Sequence, residues 1–190
     1  TLLHFFAYPV ISRLANFSSA AVCPPLNIDI VNSSQTKSAK CFLHIAWFVE
    51  PGAYLHSAEN LHCLQGTLRL AKACSDAGVR RFVGVGTCLE YDLSGGFLTP
   101  HTPLLPQTLY SACKASVFQV LSEYFNPQPT EFLWCRLFYL YGEGEDSRRL
   151  VPYLRAKLSA GSPAELSDGH QVRDFLDVQD AARQLWSATL

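Results

Sequence analysis

From Cys41 onward the chain alternates between short apolar runs and longer segments in which apolar positions recur every three or four residues. Cys41-Phe42-Leu43-His44-Ile45-Ala46-Trp47 is nearly continuous in its apolarity, the pattern of a strand buried on both faces of a parallel sheet. Leu61, Leu64, Leu68 and Ala71 then share one helical face. Ser57 offers an N-cap, and Gly78 stands where a left-handed C-terminal residue is wanted, so the spacing predicts a helix over Ala58 to Ala77. Arg81 to Gly86 reads as a second buried strand, and Leu93 to Pro106 as a loop rich in Gly, Pro and Thr. A second helix is expected from Thr108 to Tyr124, and a third strand from Glu131 to Leu137, centred on Phe132, Leu133 and Trp134.

Strand, helix, strand, helix, strand in that order predicts an α/β fold with a doubly wound parallel sheet. Ligands of such sheets bind beyond the carboxyl ends of the strands. Chemistry is therefore expected just after Ala46, Gly86 and Leu137.

Composition narrows the partners. The chain has 190 residues, 48% hydrophobic and 16% charged, enough to bury a sizeable core. Fifteen basic residues face sixteen acidic ones, with a net charge of -1. That balance, with no basic block longer than a pair, argues against nucleic acid and against an anionic membrane surface. Seven cysteines, none in a C-x-x-C spacing, read as buried thiols of a reducing compartment and not as a metal site. The apolar run Leu2 to Ile11 is too short to span a bilayer and lacks a basic leader, so a cytoplasmic location is expected. The stretch Asn32 to Lys40, rich in Ser, Thr and Lys, reads as a loop. There is no methionine, so Thr1 is not expected to be a natural start.

Two features carry chemistry. Tyr110 and Lys114 stand four apart on the second helix and so share a face, about one turn from each other. A nearby ammonium favours the phenolate, so the pair predicts a tyrosine whose pKa falls below its ordinary value of about 10. A tyrosine four before a lysine is by itself easily accidental. Thr87, immediately after the second strand, adds a hydroxyl at the ligand edge, although a threonine there is also an ordinary capping residue.

Together, Thr87-Cys88-Leu89-Glu90-Tyr91 and Tyr110-Ser111-Ala112-Cys113-Lys114 resemble the S/T-x-x-x-Y and Y-x-x-x-K motifs of the extended short-chain dehydrogenase/reductases that modify nucleotide sugars. Further segments follow in the family's order. His44-Ile45-Ala46 resembles H-x-A, Gly78 to Val83 resembles G-V-x-R-F-V, Arg136 to Gly142 resembles R-x-F-N-x-Y-G, and Arg173 to Asp180 resembles R-D-F-x-x-V-x-D. The resemblance implies a Rossmann-like fold. Residues 41–147 would form its dinucleotide-binding and catalytic part and 148–190 the start of a substrate-binding region, after an uncertain segment over 1–40. It implies NAD or NADP as cofactor, a nucleoside-diphosphate sugar as partner, and a homodimer formed through the two long helices. Thr87, Tyr110 and Lys114 would be catalytic. His44, Ala46, Val85, Leu137 and Phe138, with Tyr110 and Lys114, would line the cofactor, and Cys88, Tyr139 and Arg173 the substrate. No metal is expected.

Departures from the pattern shape the reaction. Residues 1–51 contain no glycine, so the G-x-x-G-x-x-G turn that lets backbone amides approach a pyrophosphate is not there. Cys88 and Leu89 occupy the positions where dehydratases of the family carry an acidic pair, which disfavours dehydration. Tyr139 replaces a frequent asparagine, and Cys63 stands where N-x-x-G-T has its asparagine, ahead of Gly66-Thr67. The expected activity is therefore an NAD(P)-dependent epimerase or 4-keto-reductase. A non-catalytic binding or scaffold protein of the same fold, or a truncated reading frame without function, are the alternatives.

Overall fold

A computed structural model describes residues 40–190. The apolar run Leu2 to Ile11, Cys23, and almost all of the expected 32–40 loop lie outside the described residues. The elements are β1 (Cys41–His44), α1 (Glu59–Asp76), β2 (Arg81–Thr87), α2 (Leu109–Phe125), β3 (Glu131–Leu137), β4 (Tyr139–Tyr141), α3 (Leu150–Ser159), β5 (Phe175–Asp177) and α4 (Val178–Thr189).

Strands β1, β2 and β3 lie side by side in that order, all parallel. Phe42, Phe82 and Phe132 are in register across the three, and Thr87 stands opposite Leu137 at the far end. β4 and β5 form a separate parallel pair, with Tyr139 opposite Phe175. The three strands are short and strongly apolar because both faces are covered. On one face α1 and α2 bury Leu70, Ala71, Cys74, Val117, Leu121 and Phe125 against Phe82 and Trp134. On the other, Ala181 and Leu185 of α4 pack on Val83, Val85, Cys135 and Leu137. Alternation along β2 thus sends odd and even residues into two different cores.

Several boundaries follow the sequence expectation closely, and their deviations have local causes. β1 stops at His44, not at Trp47, because α1 takes over the polar groups that follow. The Phe48 N–H donates to Cys63 Sγ at 3.3 Å and the Trp47 indole N–H to Asn60 Oδ1 at 2.8 Å. The N-cap of α1 is Ala58, while Ser57 Oγ accepts from Glu59 N at 3.2 Å, one residue out of place. Gly78 has φ 75° as expected of a residue just past a helix end. Thr108 caps α2 through a reciprocal bond with Ser111. Asp177 caps α4, and Asp180 pairs with Arg183 within the helix.

Glycine is required at two positions of β2. The indole of Trp134, which stands opposite Gly84, lies along the strand, and a Cβ on either Gly84 or Gly86 would overlap its ring atoms. Overpacking a rigid, buried ring forces a backbone shift. Gly84→Ala is therefore expected to destabilise the fold by about 2–3 kcal/mol, read as a lowered urea midpoint with an unchanged slope. A loss below about 0.5 kcal/mol would mean that Trp134 moves aside at little cost.

Candidate active site

The carboxyl end of β2 is the centre of the site. Thr87 ends the strand and begins a single turn of 3-10 helix, Cys88–Glu90, whose Leu89 N–H its hydroxyl accepts at 3.3 Å. Glu90 reaches back to accept the Thr87 N–H at 2.8 Å, completing a capping box. The Thr87 side chain also shares hydrogen bonds with Tyr110 and with Cys88. Thr87, Cys88, Glu90 and Tyr110 are all buried.

Helix α2 delivers Tyr110 and Lys114. Tyr110 lies in the first turn, where N–H groups have no partner within the helix. Its N–H donates to Leu55 O at 3.0 Å, which pins the 48–57 loop to the start of the helix. The rings of Tyr54 and Trp47 consequently stand edge-on to that of Tyr110, at 4.9 and 6.3 Å between centroids. One turn further along, Lys114 Nζ donates to Val85 O at 2.6 Å and sits 3.9 Å from the centre of the Trp47 ring.

This enclosure changes the electrostatics expected from sequence. Burial raises the Tyr110 pKa above its ordinary value, reinforced by Tyr54 and opposed by the Thr87 hydrogen bond. Lys114 does not lower it, because the ammonium is turned toward the Val85 carbonyl and the Trp47 face. Burial also pulls Lys114 down to about 7, against the upward pull of Glu90 and Cys63. In the bare protein the phenol is protonated and the lysine stands at the edge of losing its charge.

The remaining expected positions divide. His44 is committed to the fold: the Thr67 hydroxyl donates to Cys63 O at 2.8 Å, so His44 Nε2–H donates to Thr67 Oγ1 at 2.9 Å. Burial, then Lys114, lowers its pKa to about 3, keeping the ring neutral. Leu137 faces the α4 core and Phe138 packs with Cys88 and Tyr91, while Ala46 is exposed beyond β1. Val85 offers its carbonyl to Lys114. The Cys88 thiol is driven up to about 11, chiefly by burial. Arg173 is exposed, donates to the Tyr139 hydroxyl and stacks 4.5 Å above that ring.

Four residues not singled out from sequence complete the surroundings. Trp47 and Tyr54 form an aromatic wall. Arg149, paired with Glu145 at 3.4 Å, acts on both Tyr54 and Tyr139. Glu90, fully buried, accepts from Arg136 Nε at 2.7 Å and from the Trp134 indole at 3.2 Å. Only Glu90 left a readable signal, the T-x-x-E spacing of a capping box; Tyr54 and Arg149 belong to aperiodic segments. Among the described residues no group of His, Cys, Asp and Glu is arranged to hold a metal, and no helix is long and apolar enough to cross a membrane.

Comparison with known proteins bears on the fold and the family. The model of the NAD dependent epimerase/dehydratase family matches residues 34–189. A dTDP-glucose 4,6-dehydratase of Xanthomonas campestris is 31% identical over 142 residues, covering 68% of this chain and 39% of that protein. The low-salt glycan biosynthesis protein Agl12 of Haloferax volcanii is 29% identical over 119 residues, covering 62% and 38%. Among solved structures, DesIV, a dTDP-glucose 4,6-dehydratase from Streptomyces venezuelae with NAD bound, superposes with TM-score 0.66 at 25% identity over 84% of this chain and 50% of its own. The chain thus spans about two fifths of the length of these curated relatives and half of that structure. The fold is the Rossmann-like one of the extended short-chain dehydrogenase/reductases, and the chain belongs to the NAD dependent epimerase/dehydratase family.

Proposed function

We propose that this chain carries the catalytic part of an NAD(P)-dependent epimerase or 4-keto-reductase acting on a nucleoside-diphosphate sugar. The observation that carries the reading is the hydrogen-bonded Thr87–Tyr110 pair at the ligand edge of the sheet, with Lys114 one turn beyond. Tyr110 exchanges a proton with a sugar hydroxyl, and Thr87 holds the same oxygen in line. General acid/base work by a positioned phenol needs hydrogen-bond reach first and a suitable pKa second.

The cofactor implied by the family can be tested against the residues at its nicotinamide end. Lys114 has three donors as an ammonium and its bond to Val85 O uses one, which would leave it suited to the hydroxyls of a nicotinamide ribose. Phe138 and Ala46 would border it. These residues fit the nicotinamide ribose, whereas residues 1–51 offer no glycine for a pyrophosphate turn. Nicotinamide supplies the hydride exchange when bound; the chain supplies position, exclusion of water and proton transfer. Arg173, on its Tyr139 rest, is the residue for the sugar's diphosphate, to which a guanidinium fork is matched.

The dehydratases among the relatives raise the question of elimination. Cys88 and Leu89 stand directly after Thr87 where an acidic pair is wanted, and the one carboxylate of that turn, Glu90, is bound to Arg136. No acid from this turn is thus available to a leaving hydroxyl, which favours epimerisation or ketone reduction. The reading also carries a homodimer formed through α1 and α2, whose outer positions Leu61 and Val120 are half exposed.

The test is product analysis. Full-length protein given NAD or NADPH and a panel of UDP-, dTDP-, GDP- and CDP-sugars is expected to yield an epimer or a reduced sugar, identified by NMR. A dehydrated keto-deoxy product would replace this reading with dehydration, and no product from any sugar would favour a non-catalytic role.

A further inference from the structure

The buried carboxylate of Glu90 connects groups that the proposed reaction keeps apart. One of its oxygens holds the Thr87 N–H at 2.8 Å; the other holds Arg136 Nε at 2.7 Å, and the Trp134 indole N–H lies 3.2 Å from both. The guanidinium is itself sandwiched, 4.2 Å from the Phe118 ring and 4.8 Å from the Tyr91 ring, and donates to the Tyr91 hydroxyl. Across Trp134 stands Lys114, 5.9 Å from its ring centre. Three charged groups therefore share one dry compartment beneath the site, two positive and one negative.

We propose that Glu90 is a positioning residue of this active site, whose carboxylate fixes the Thr87 peptide and supplies the counter-charge that Lys114 faces. The inference rests on the enzymatic reading above and adds to it a residue that touches neither sugar nor nicotinamide. An ordinary structural ion pair with Arg136 would explain the bond to the guanidinium. The capping box would explain the bond to the Thr87 peptide, but neither explains why the same carboxylate is also the counter-charge to a buried lysine. A Cβ at Gly86 would overlap Glu90 Oε1 and Trp134 together, so the strand leaves a gap for this arrangement.

The electrostatics agree with the geometry. The titratable groups facing Lys114 are Glu90 from the 3-10 turn, Cys63 from α1 and His44 from β1. His44 is held neutral; burial raises the Glu90 pKa, but the Arg136 guanidinium and the Thr87 N–H oppose that rise and favour the carboxylate. It opposes the burial that draws Lys114 down to about 7. Without it, an ammonium in this compartment would face only the guanidinium.

Glu90→Gln keeps the shape and the acceptor for Thr87 N–H while removing the charge. In ligand-free full-length protein with isotope-labelled lysine, an NMR titration of Lys114, assigned through Lys114→Arg, is expected to move its midpoint down by about 1 pH unit. In turnover, the loss of activity on the alkaline side is expected to begin correspondingly earlier. At pH 8, kcat should fall about tenfold with little change in KM for the sugar. If Glu90→Gln does not fold, Glu90→Gln with Arg136→Met removes both buried charges, and a downward shift of Lys114 is again expected, smaller because the repulsion from the guanidinium is lost as well. An unchanged Lys114 midpoint in whichever variant folds would overturn the proposal and leave Glu90 a structural partner of Arg136. The titration needs neither sugar nor cofactor. It therefore decides the role of Glu90 even when no nucleotide sugar is turned over, an outcome that would remove the enzymatic reading instead.

Discussion

Tyr110→Phe is expected to lower turnover of the preferred nucleotide sugar by ~10²–10⁴ while leaving sugar and cofactor binding close to wild type. The ring stays where it is, because its place is set by Tyr54, Trp47 and the Tyr110 N–H bond to Leu55 O, none of which uses the hydroxyl. Its hydroxyl interacts with Thr87, and loss of one such hydrogen bond should lower folding stability by only about 1 kcal/mol. The large effect is expected to be confined to the chemical step because the proposed function makes the phenol the proton carrier, and the raised Tyr110 pKa makes it a proton donor before anything binds. Steady-state kinetics set beside calorimetric binding separate the two. A variant that loses binding and turnover together would mark Tyr110 as a packing residue.

The second large effect concerns the compartment below. Arg136→Met removes the guanidinium and leaves the Glu90 carboxylate buried without a counter-ion, which is expected to cost about 3–5 kcal/mol. The site is unforgiving, since Glu90 is fully buried and Arg136 nearly so. Arg136 Nη2 is already buried without a hydrogen-bond partner, so this ion pair is retained at some expense. Exchanging both residues for uncharged ones of similar volume should return most of the loss, because breaking a buried pair is far more destabilising than replacing it. Urea unfolding of the two variants checks this. If the single substitution costs less than about 1 kcal/mol, Glu90 is protonated in the native state and the compartment is not an ion pair.

Much of the architecture was legible because its causes are local. Phe82, Phe132 and their neighbours form runs that only a doubly covered strand uses, and Gly78 is explained by a positive φ that other residues avoid. Thr87, Tyr110 and Lys114 were legible for a different reason: the sheet edge at Gly86 and the helical spacing of four place all three at one point. What sequence reasoning missed came from tertiary enclosure. It expected a lysine beside a tyrosine to lower the phenol's pKa, but the direction depends on what else surrounds them. Trp47 captures the ammonium, Val85 offers it a carbonyl, and the aromatic wall keeps water from the phenol. The 48–57 loop gave no periodic signal, so the contribution of Tyr54 could be seen only after Asn60 and Leu55 had fixed that loop in place. His44 reads as a cofactor neighbour by position, yet its side chain is spent on Thr67.

The proposed function stands on hydride exchange between a nicotinamide and a sugar carbon. Rapid mixing of the full-length, cofactor-loaded protein with the nucleotide sugar identified by product analysis tests it directly, with the nicotinamide absorbance followed through a single turnover. Transient formation of reduced nicotinamide is expected of an epimerase, and consumption of reduced nicotinamide by a keto sugar of a reductase. Either signal should be slowed when the transferred hydrogen is replaced by deuterium. A sugar converted to product with no change in the nicotinamide, at a rate indifferent to deuterium, would contradict it.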